Sequence, residues 1–409
     1  MHNETRYAPR GEIALTGRVA RGSNQGGMRA YNERLVLSLV RENGPMSKAE
    51  ISRITGLSAQ TVSVIMRALE ADTLLKKGLR VRGRVGQPSV PMGLNPDGAF
   101  FFGLKVGRRS TEIVLVDFEG KVRHHTKEVY SHPMPDSVIR FARETLAAWL
   151  GEMSEAKQGR VAGLGIAMPF RLWEWDKSLV QAGSRLDAWR DRDIAAELRQ
   201  SFDFPVYLCN DASAACGAEL VFGDQDKPRD FLYFYIGYFV GGGLVLDNKL
   251  YEGRTGNAAA LGSMPIVGQQ DGVRQQLVDV ASLATLETML ESAGHDRQTS
   301  WSDPDAWDFS HELLNNWLDG AAKGLAQVIV SANCLIDFQT VLIDGSLPAK
   351  VRAELVARAG ICLNDFAVPG IEIPEVRTGT IGGDARSLGA ASLPLSDRFL
   401  VDRNAFLKG

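Results

Sequence analysis

With 409 residues, of which 44% are hydrophobic and 23% charged, the chain is long enough for a small domain beside a larger one and too apolar for a disordered polypeptide. Its longest apolar run, from Phe231 to Leu246, is interrupted by Gly237, Gly241, Gly242 and Gly243 and is too short to cross a bilayer. The net charge of −3 hides a split: residues 1–94 hold 15 Lys and Arg against 7 Asp and Glu, a surplus of +8, whereas the remainder holds 31 against 42, or −11. A basic head on an acidic body points the head at a polyanion. Cys209, Cys216, Cys334 and Cys362 show no CxxC spacing and the N-terminus lacks a basic-then-apolar leader, so a cytoplasmic protein with buried free thiols is expected.

In chain order, residues 1–28 read as a flexible, mildly basic tail, and residues 29–95 as a DNA-binding domain. Ser47-Lys48-Ala49-Glu50 has the form of a capping box, which starts a helix at Ser47 with Ile51 and Ile54 turned inward. Gly56 suits the left-handed residue of a sharp turn, and Ser58 caps the next helix. There Val62, Ile65, Met66 and Leu69 fall at i, i+3, i+4 and i+7, one apolar stripe. A capped helix, a glycine turn and a second capped helix predict a winged helix-turn-helix on double-stranded DNA. Its candidate contacts are Ser58, Gln60, Thr61, Ser63, Val64 and Arg67: Gln60 suits adenine, Val64 a thymine methyl, Ser63 and Arg67 phosphates. Lys77, Arg80, Arg82, Arg84 and Gln87 follow in a basic stretch that reads as a β-wing gripping the backbone. The plainer alternatives are an amphipathic helix with a solvated polar face and a solvated charge run.

From residue 100 the pattern alternates. Strands are expected at 100–104 and 112–116, a helix at 132–150, a strand at 161–167, and a strand at 206–208 running into an Ala-rich helix from Asp211. The theme repeats with strands at 231–236 and 243–246 joined by a glycine turn, a helix at 310–334, a strand at 341–344, and Gly382-Gly383 feeding a helix through 388–391. Two α/β lobes with a cleft between them fit this length.

These features resemble the ROK family of repressors, open reading frames and sugar kinases, specifically its repressor branch, over residues 30–395. The resemblance rests on the head from Ser47 to Leu69, the strand pair from Gly103 to Asp117 followed by Phe118-Glu119-Gly120, and Gly163-Leu164-Gly165-Ile166-Ala167-Met168-Pro169. It rests also on Asn210-Asp211-Ala212, a turn at Gly241, Gly242 and Gly243, and Gly262-Ser263-Met264-Pro265. It implies a two-lobed actin-like (ribonuclease-H-like) sugar-kinase fold over residues 96–409, closing around a sugar, with the C-terminal helix returning to the first lobe.

Against the family's pattern, much of the kinase chemistry is missing. The first phosphate turn, Asp, Gly and Thr in the kinases, stands here as Lys105, Gly107 and Arg109, so its metal-side carboxylate is absent. Tyr238 and Phe239 follow Gly237 where the second turn offers Thr and Gly. Asn210-Asp211 matches the pair that meets sugar hydroxyls, Asp211 being the kinases' base, although such a pair at a helix start is often only a cap. The Glu-x-Gly-His element reads Ala260-Leu261-Gly262-Ser263, and a later sugar-binding Glu falls at Val278. The zinc-site segment, residues 269–276, lacks thiolate and imidazole, so no metal is expected.

The resemblance therefore implies a non-enzymatic, cofactor-free regulator. It would repress carbohydrate uptake or catabolism genes from a palindromic operator, as a homodimer or homotetramer with the helix near 313–336 as interface. Candidate effector contacts are Asn210, Asp211, Asn257 and Ser263. The rivals are a sugar kinase with a fused head and a regulator whose body docks a protein.

Overall fold

The computed structural model describes residues 25–79, 90–173, 185–224, 226, 228–268, 274–295, 307, 312–366 and 369–401. They form two compact units, one holding the described residues up to Leu94 together with those from Phe399 onward, the other Asn95–Arg398. The division falls between Leu94 and Asn95, and Val401, placed in the body by the sequence reading, groups with the first unit, where its amide donates to the Ser38 hydroxyl at 3.2 Å.

In that unit α1 (Gln25–Asn43) buries Val36, Leu37 and Val40. Residues 25–28, expected in the tail, are already helical, one turn ahead of an Arg29–Glu33 pair at i, i+4; residues 1–24 lie outside the described residues. α2 (Lys48–Thr55) opens on the capping box: the Glu50 amide donates to Ser47 Oγ at 3.3 Å, and the Ser47 amide donates to Glu50 Oε2 at 2.8 Å. Gly56, with φ of 71°, ends it. α3 (Ala59–Ala71) is capped by Ser58 and buries Val62, Ile65, Met66 and Leu69. Ile54 corrects the expectation, for it is 50% exposed. It stands about 60° around the helix from Ile51, and α2 packs chiefly on α3, which buries a stripe one residue wide. β1 (Leu75–Lys77) pairs antiparallel with β2 (Met92–Leu94), the base of the wing.

The second unit builds the same sheet twice. β3 (Phe100–Val106), β4 (Ser110–Asp117) and β5 (Val122–Val129) form an antiparallel meander. α4 (Pro135–Glu152) and the short α5 (Glu155–Gln158) lead to β6 (Val161–Ala167), and α6 (Ile194–Arg199) leads to β7 (Val206–Cys209). The strand order is β5-β4-β3-β6-β7, with β6 and β7 added in parallel. The helix expected from 132 begins at Pro135, because proline suits the first helical position, where no amide is needed.

α7 (Asp211–Phe222) crosses to the second lobe. There β8 (Phe231–Ile236), β9 (Val240–Leu246) and β10 (Lys249–Leu250) repeat the meander. A hairpin of β11 (Pro265–Val267) and β12 (Arg274–Gln276) precedes α8 (Leu277–Ala281), α9 (Leu283–Ser292) and α10 (Glu312–Ile336). β13 (Thr340–Gly345), α11 (Ala349–Leu363) and β14 (Glu375–Thr378) complete a sheet of order β10-β9-β8-β13-β14.

The last helix, α12 (Ala385–Phe399), returns to the first lobe. Glycines make room for it: a Cβ on Gly103 would lie 2.3 Å from the Ser387 carbonyl oxygen, and one on Gly165 would lie 1.8 Å from that of Ala390. The Gly163-Leu164-Gly165 motif is therefore a packing surface for the C-terminal helix.

Candidate functional site

On the head, α3 presents Gln60, Val64 and Arg67 to solvent, with Val64 46% exposed. Thr61 and Ser63 are half-buried. Ser58 and Thr61 are partly spent on the helix cap, since Ser58 Oγ accepts the Thr61 amide at 3.1 Å and lies 2.8 Å from its hydroxyl. Ser63 Oγ accepts from Lys48 Nζ at 3.1 Å, which places a cation beside it, and Arg67 Nε leans back on the Ser63 carbonyl at 3.2 Å. Lys77 pairs with Glu70 at 2.7 Å, so its charge is already matched in the free protein. Arg80, Arg82, Arg84 and Gln87 lie outside the described residues. The structure thus brings the α3 contacts onto one face and adds Lys48, which the sequence reading passed over.

In the body, the first phosphate turn folds around its own ion pair. Lys105 Nζ donates to Glu112 Oε1 at 3.0 Å and to Ser110 Oγ at 2.9 Å, with both charged side chains at most 10% exposed. Burial and the nearby Arg386 charge push Lys105 down to about 8. Burial alone would raise Glu112, but Lys105, Lys127 and Arg386 outweigh it and hold the carboxyl at about 2. A buried, paired ammonium therefore stands in the segment that the family resemblance aligns with the first phosphate turn.

The second turn is filled as well. Arg108 and Arg109 lie over the Tyr238 ring, 5.8 and 5.1 Å from its centroid, and Tyr238 meets Phe239 edge-on at 4.8 Å. Arg109 also pairs across the lobes with Glu287, whose side chain is 4% exposed. Behind them, the amides that open α9 are consumed: Leu283 donates to the Gly237 carbonyl and Ala284 to that of Tyr238, both at 3.1 Å. This clasp joins the two lobes directly.

Gly241, Gly242 and Gly243, expected as a turn, lie within β9. Their missing side chains admit neighbours from both faces. A Cβ would fall 2.6 Å from Ala212 Cβ at Gly241, 2.2 Å from Leu261 at Gly242 and 2.3 Å from Cys216 Cβ at Gly243. This close approach draws the start of α7 and the turn at residues 261–263 to the same strand.

Of the effector candidates, Asn210 caps α7, its Oδ1 accepting the Ala212 and Ser213 amides at 3.0 and 3.4 Å. Asp211 is not free: its Oδ2 accepts from Arg386 Nη1 at 3.2 Å. Asn257 and Ser263 are exposed, on the loop after β10 and in the turn before β11. The loop approaches the segment that follows β6 through Gly256, which faces Phe170. Sequence reasoning missed Arg386, whose guanidinium lies 4.8 Å over the Tyr235 ring. A cation in the first turn of a helix opposes the helix dipole, and that was its one visible signal. It missed too the buried network of Asp344, which accepts from Tyr233 at 3.0 Å, from Arg352 at 2.6 Å and from the Gly382 amide.

Among the described residues no group of three or more His, Cys, Asp or Glu is placed to hold a metal, and no helix is long and apolar enough to cross a membrane. Of the expected zinc-site segment, residues 269–273 lie outside the described residues, and Arg274–Gln276 form β12.

Residues 101–396 match the ROK family. The chain belongs to that family. Residues 29–72 match a winged helix-turn-helix DNA-binding family. Among other ROK proteins, it is 26% identical over 295 residues to a xylose repressor of Caldicellulosiruptor bescii, covering 68% of this chain and 71% of that one. It is 23% identical over 236 residues to the DNA-binding transcriptional repressor Mlc of Escherichia coli, covering 56% and 57%. In fold it is similar to a crystal structure of a ROK family transcriptional regulator homologous to Mlc, with a TM-score of 0.65 and 19% identity over 90% of this chain and 96% of that one. A ROK glucokinase from Streptomyces griseus in complex with glucose and AMPPNP aligns with 72% of this chain and 99% of its own, with a TM-score of 0.55 and 19% identity.

Proposed function

We propose that this protein is a sequence-specific transcriptional repressor whose kinase-shaped body senses a sugar or sugar derivative and transfers no phosphoryl group. Gln60 and Val64 read bases, while Ser63, Arg67, Lys48 and the wing residues Arg80, Arg82, Arg84 and Gln87 hold phosphates. Asn210, Asp211, Asn257 and Ser263 face the effector, and a two-fold dimer reads a palindromic operator.

The observation that supports this reading is the packing at the two segments that the family resemblance aligns with the phosphate turns: Lys105 pairs with Glu112, and Arg108 and Arg109 lie over the Tyr238 ring. The name of the xylose repressor supports a repressor of sugar genes, and that of Mlc supports a DNA-binding repressor. The test mixes the full chain with fragments upstream of its own gene in a mobility-shift assay, with and without D-xylose and other sugars. A parallel assay follows ATP-dependent sugar phosphorylation. Retarded DNA, released or tightened by a sugar, with no phosphorylation, is the expected result. Sugar phosphorylation that Asp211→Ala abolishes, with no DNA retarded, would overturn the reading.

A further inference from the structure

Arg386 joins a largely buried position to an incomplete set of hydrogen bonds. Its guanidinium offers five N–H donors and stays charged at any physiological pH. Among the described residues, one nitrogen meets one oxygen of Asp211 at 3.2 Å, a single long contact in place of a two-pronged one. Its Nε is buried with no acceptor. The ring of Tyr235 supports one face of the group, and the side chain is 15% exposed. Leaving a buried donor without an acceptor costs free energy that folding alone does not recover.

Two further positive features lie near it. Arg386 is the second residue of α12, a helix of 15 residues whose N-terminal end carries partial positive charge. Lys105 is close enough that Arg386 depresses its ionisation. Two carboxylates act on Arg386: Glu112, which is hydrogen-bonded to Lys105 and Ser110, attracts it through space, and Asp211 bonds it directly. Asp211 and the capping Asn210 stand at the start of α7, where a carboxylate and an amide suit hydroxyl groups.

We infer that Arg386 selects an effector that carries an oxyanion, a carboxylate or a phosphate, on a polyhydroxylated carbon chain. The hydroxyls lie toward Asn210 and Asp211, and the oxyanion meets the exposed part of the guanidinium, by the paired geometry that arginine offers such groups. This inference rests on the reading of the body as a sugar receptor, and it names the chemical class that the receptor takes.

The test uses the full chain and matched probes: D-xylose against D-xylonate, D-glucose against D-glucuronate and D-glucose 6-phosphate, and inorganic phosphate alone. Calorimetry should show at least one acidic probe binding tenfold or more tightly than its neutral parent and than inorganic phosphate. The preference of carboxylate over phosphate or the reverse identifies the source of the oxyanion. Arg386→Met should remove the acid preference and leave any affinity for the neutral parent, while Arg386→Lys should keep part of it. Circular dichroism on both variants shows that they fold, and should Arg386→Met not fold, the graded loss in Arg386→Lys carries the test. Neutral sugars binding the wild type as tightly as their acids, a preference that survives Arg386→Met, or no acid binding at all would each overturn the inference. A neutral sugar that still shifts DNA binding would leave the proposed function standing.

Discussion

Replacing Lys105 by Met isolates Glu112 in the first phosphate turn and should leave a pH signature. Both side chains are at most 10% exposed, and they meet at 3.0 Å. Breaking a buried ion pair by removing one partner costs about 3–5 kcal/mol. Lys127 remains 3.6 Å from Glu112 but is half exposed, so it offsets only part of this, and about 2–3 kcal/mol is expected near neutrality. At roughly 2 °C per kcal/mol for a large unit, the melting temperature of the body should fall by about 5 °C.

The sign with pH is distinctive. Glu112 in the folded wild type sits at about 2, below its unfolded value near ~4.3. Its contribution is therefore present above that unfolded value and is lost as pH falls toward 2. Lys105, held at about 8, adds a second slope: stability should rise as pH climbs from about 8 toward the unfolded lysine value near ~10.4. In Lys105→Met the acid-side loss disappears, because burial no longer meets its strongest opponent, and the alkaline gain disappears with the amine. The gap between variant and wild type should thus be smallest at pH 3, open by pH 7 and widen further at pH 9. Melting curves followed by circular dichroism at pH 3, 5, 7 and 9 measure it. A gap of constant size, or a variant as stable as wild type at pH 7, would refute the reasoning. Adding Glu112→Leu should recover all but about 1 kcal/mol, since an apolar pair of similar volume replaces a buried ion pair at little cost.

On the operator, Gln60→Ala should relax base preference by about 1–3 kcal/mol at one position. Arg67→Ala should instead weaken all sequences alike and lower the slope of log affinity against log salt by about 1; anisotropy titrations at several salt concentrations separate the two. In the clasp, Arg109→Ala and Tyr238→Ala should couple by about 1 kcal/mol in a double-mutant cycle of thermal unfolding, and strict additivity would mean that the stacking contributes nothing. Gly165→Ala would drive a methyl to within 1.8 Å of the Ala390 carbonyl oxygen. It should therefore cost about 1–3 kcal/mol or more and raise hydrogen exchange along α12; unchanged exchange there would argue that the helix is not seated as described.

Legibility followed range. The capping box at Ser47, the αL glycine at Gly56 and the stripe from Val62 to Leu69 are set by residues within a turn or two of one another, and each was readable. The strands at 161–167 and 231–236 were readable too, as continuous apolar runs that both faces of a sheet bury. Gly241, Gly242 and Gly243 were misread as a turn because glycine signals a local bend, whereas their cause is distant: Ala212, Cys216 and Leu261 press on β9. Ile54 failed because an eight-residue helix with one main partner has no second surface to bury against. Lys105 and Tyr238 stood out in the sequence as departures from the family's phosphate turns, yet the Glu112 partner of Lys105 and the arginines over Tyr238 came only from the fold. Arg386 lies 175 residues from Asp211, and no spacing rule reaches that far.

That separation also gives Arg386 its leverage. It opens the helix that packs on the first lobe through Gly103 and Gly165, it lies on Tyr235 in β8 of the second lobe, and it pairs with Asp211 where the chain crosses between them. A ligand that takes donors from Arg386 acts on a group held by both sheets. A regulator responds only by the difference in ligand affinity between its two arrangements, and a full reversal from 1:99 to 99:1 needs about 5.5 kcal/mol of difference. A hydroxyl hydrogen bond contributes about 0.5–1.5 kcal/mol net, and a charged one about 1.5–3. Two charged bonds from one guanidinium can therefore approach that figure alone, whereas neutral hydroxyls would have to change at four or more positions together. The clasp of Arg109, Tyr238 and Glu287 stands on the opposing side of this balance: it ties the lobes without ligand, so whatever arrangement it favours is the one the effector must outweigh.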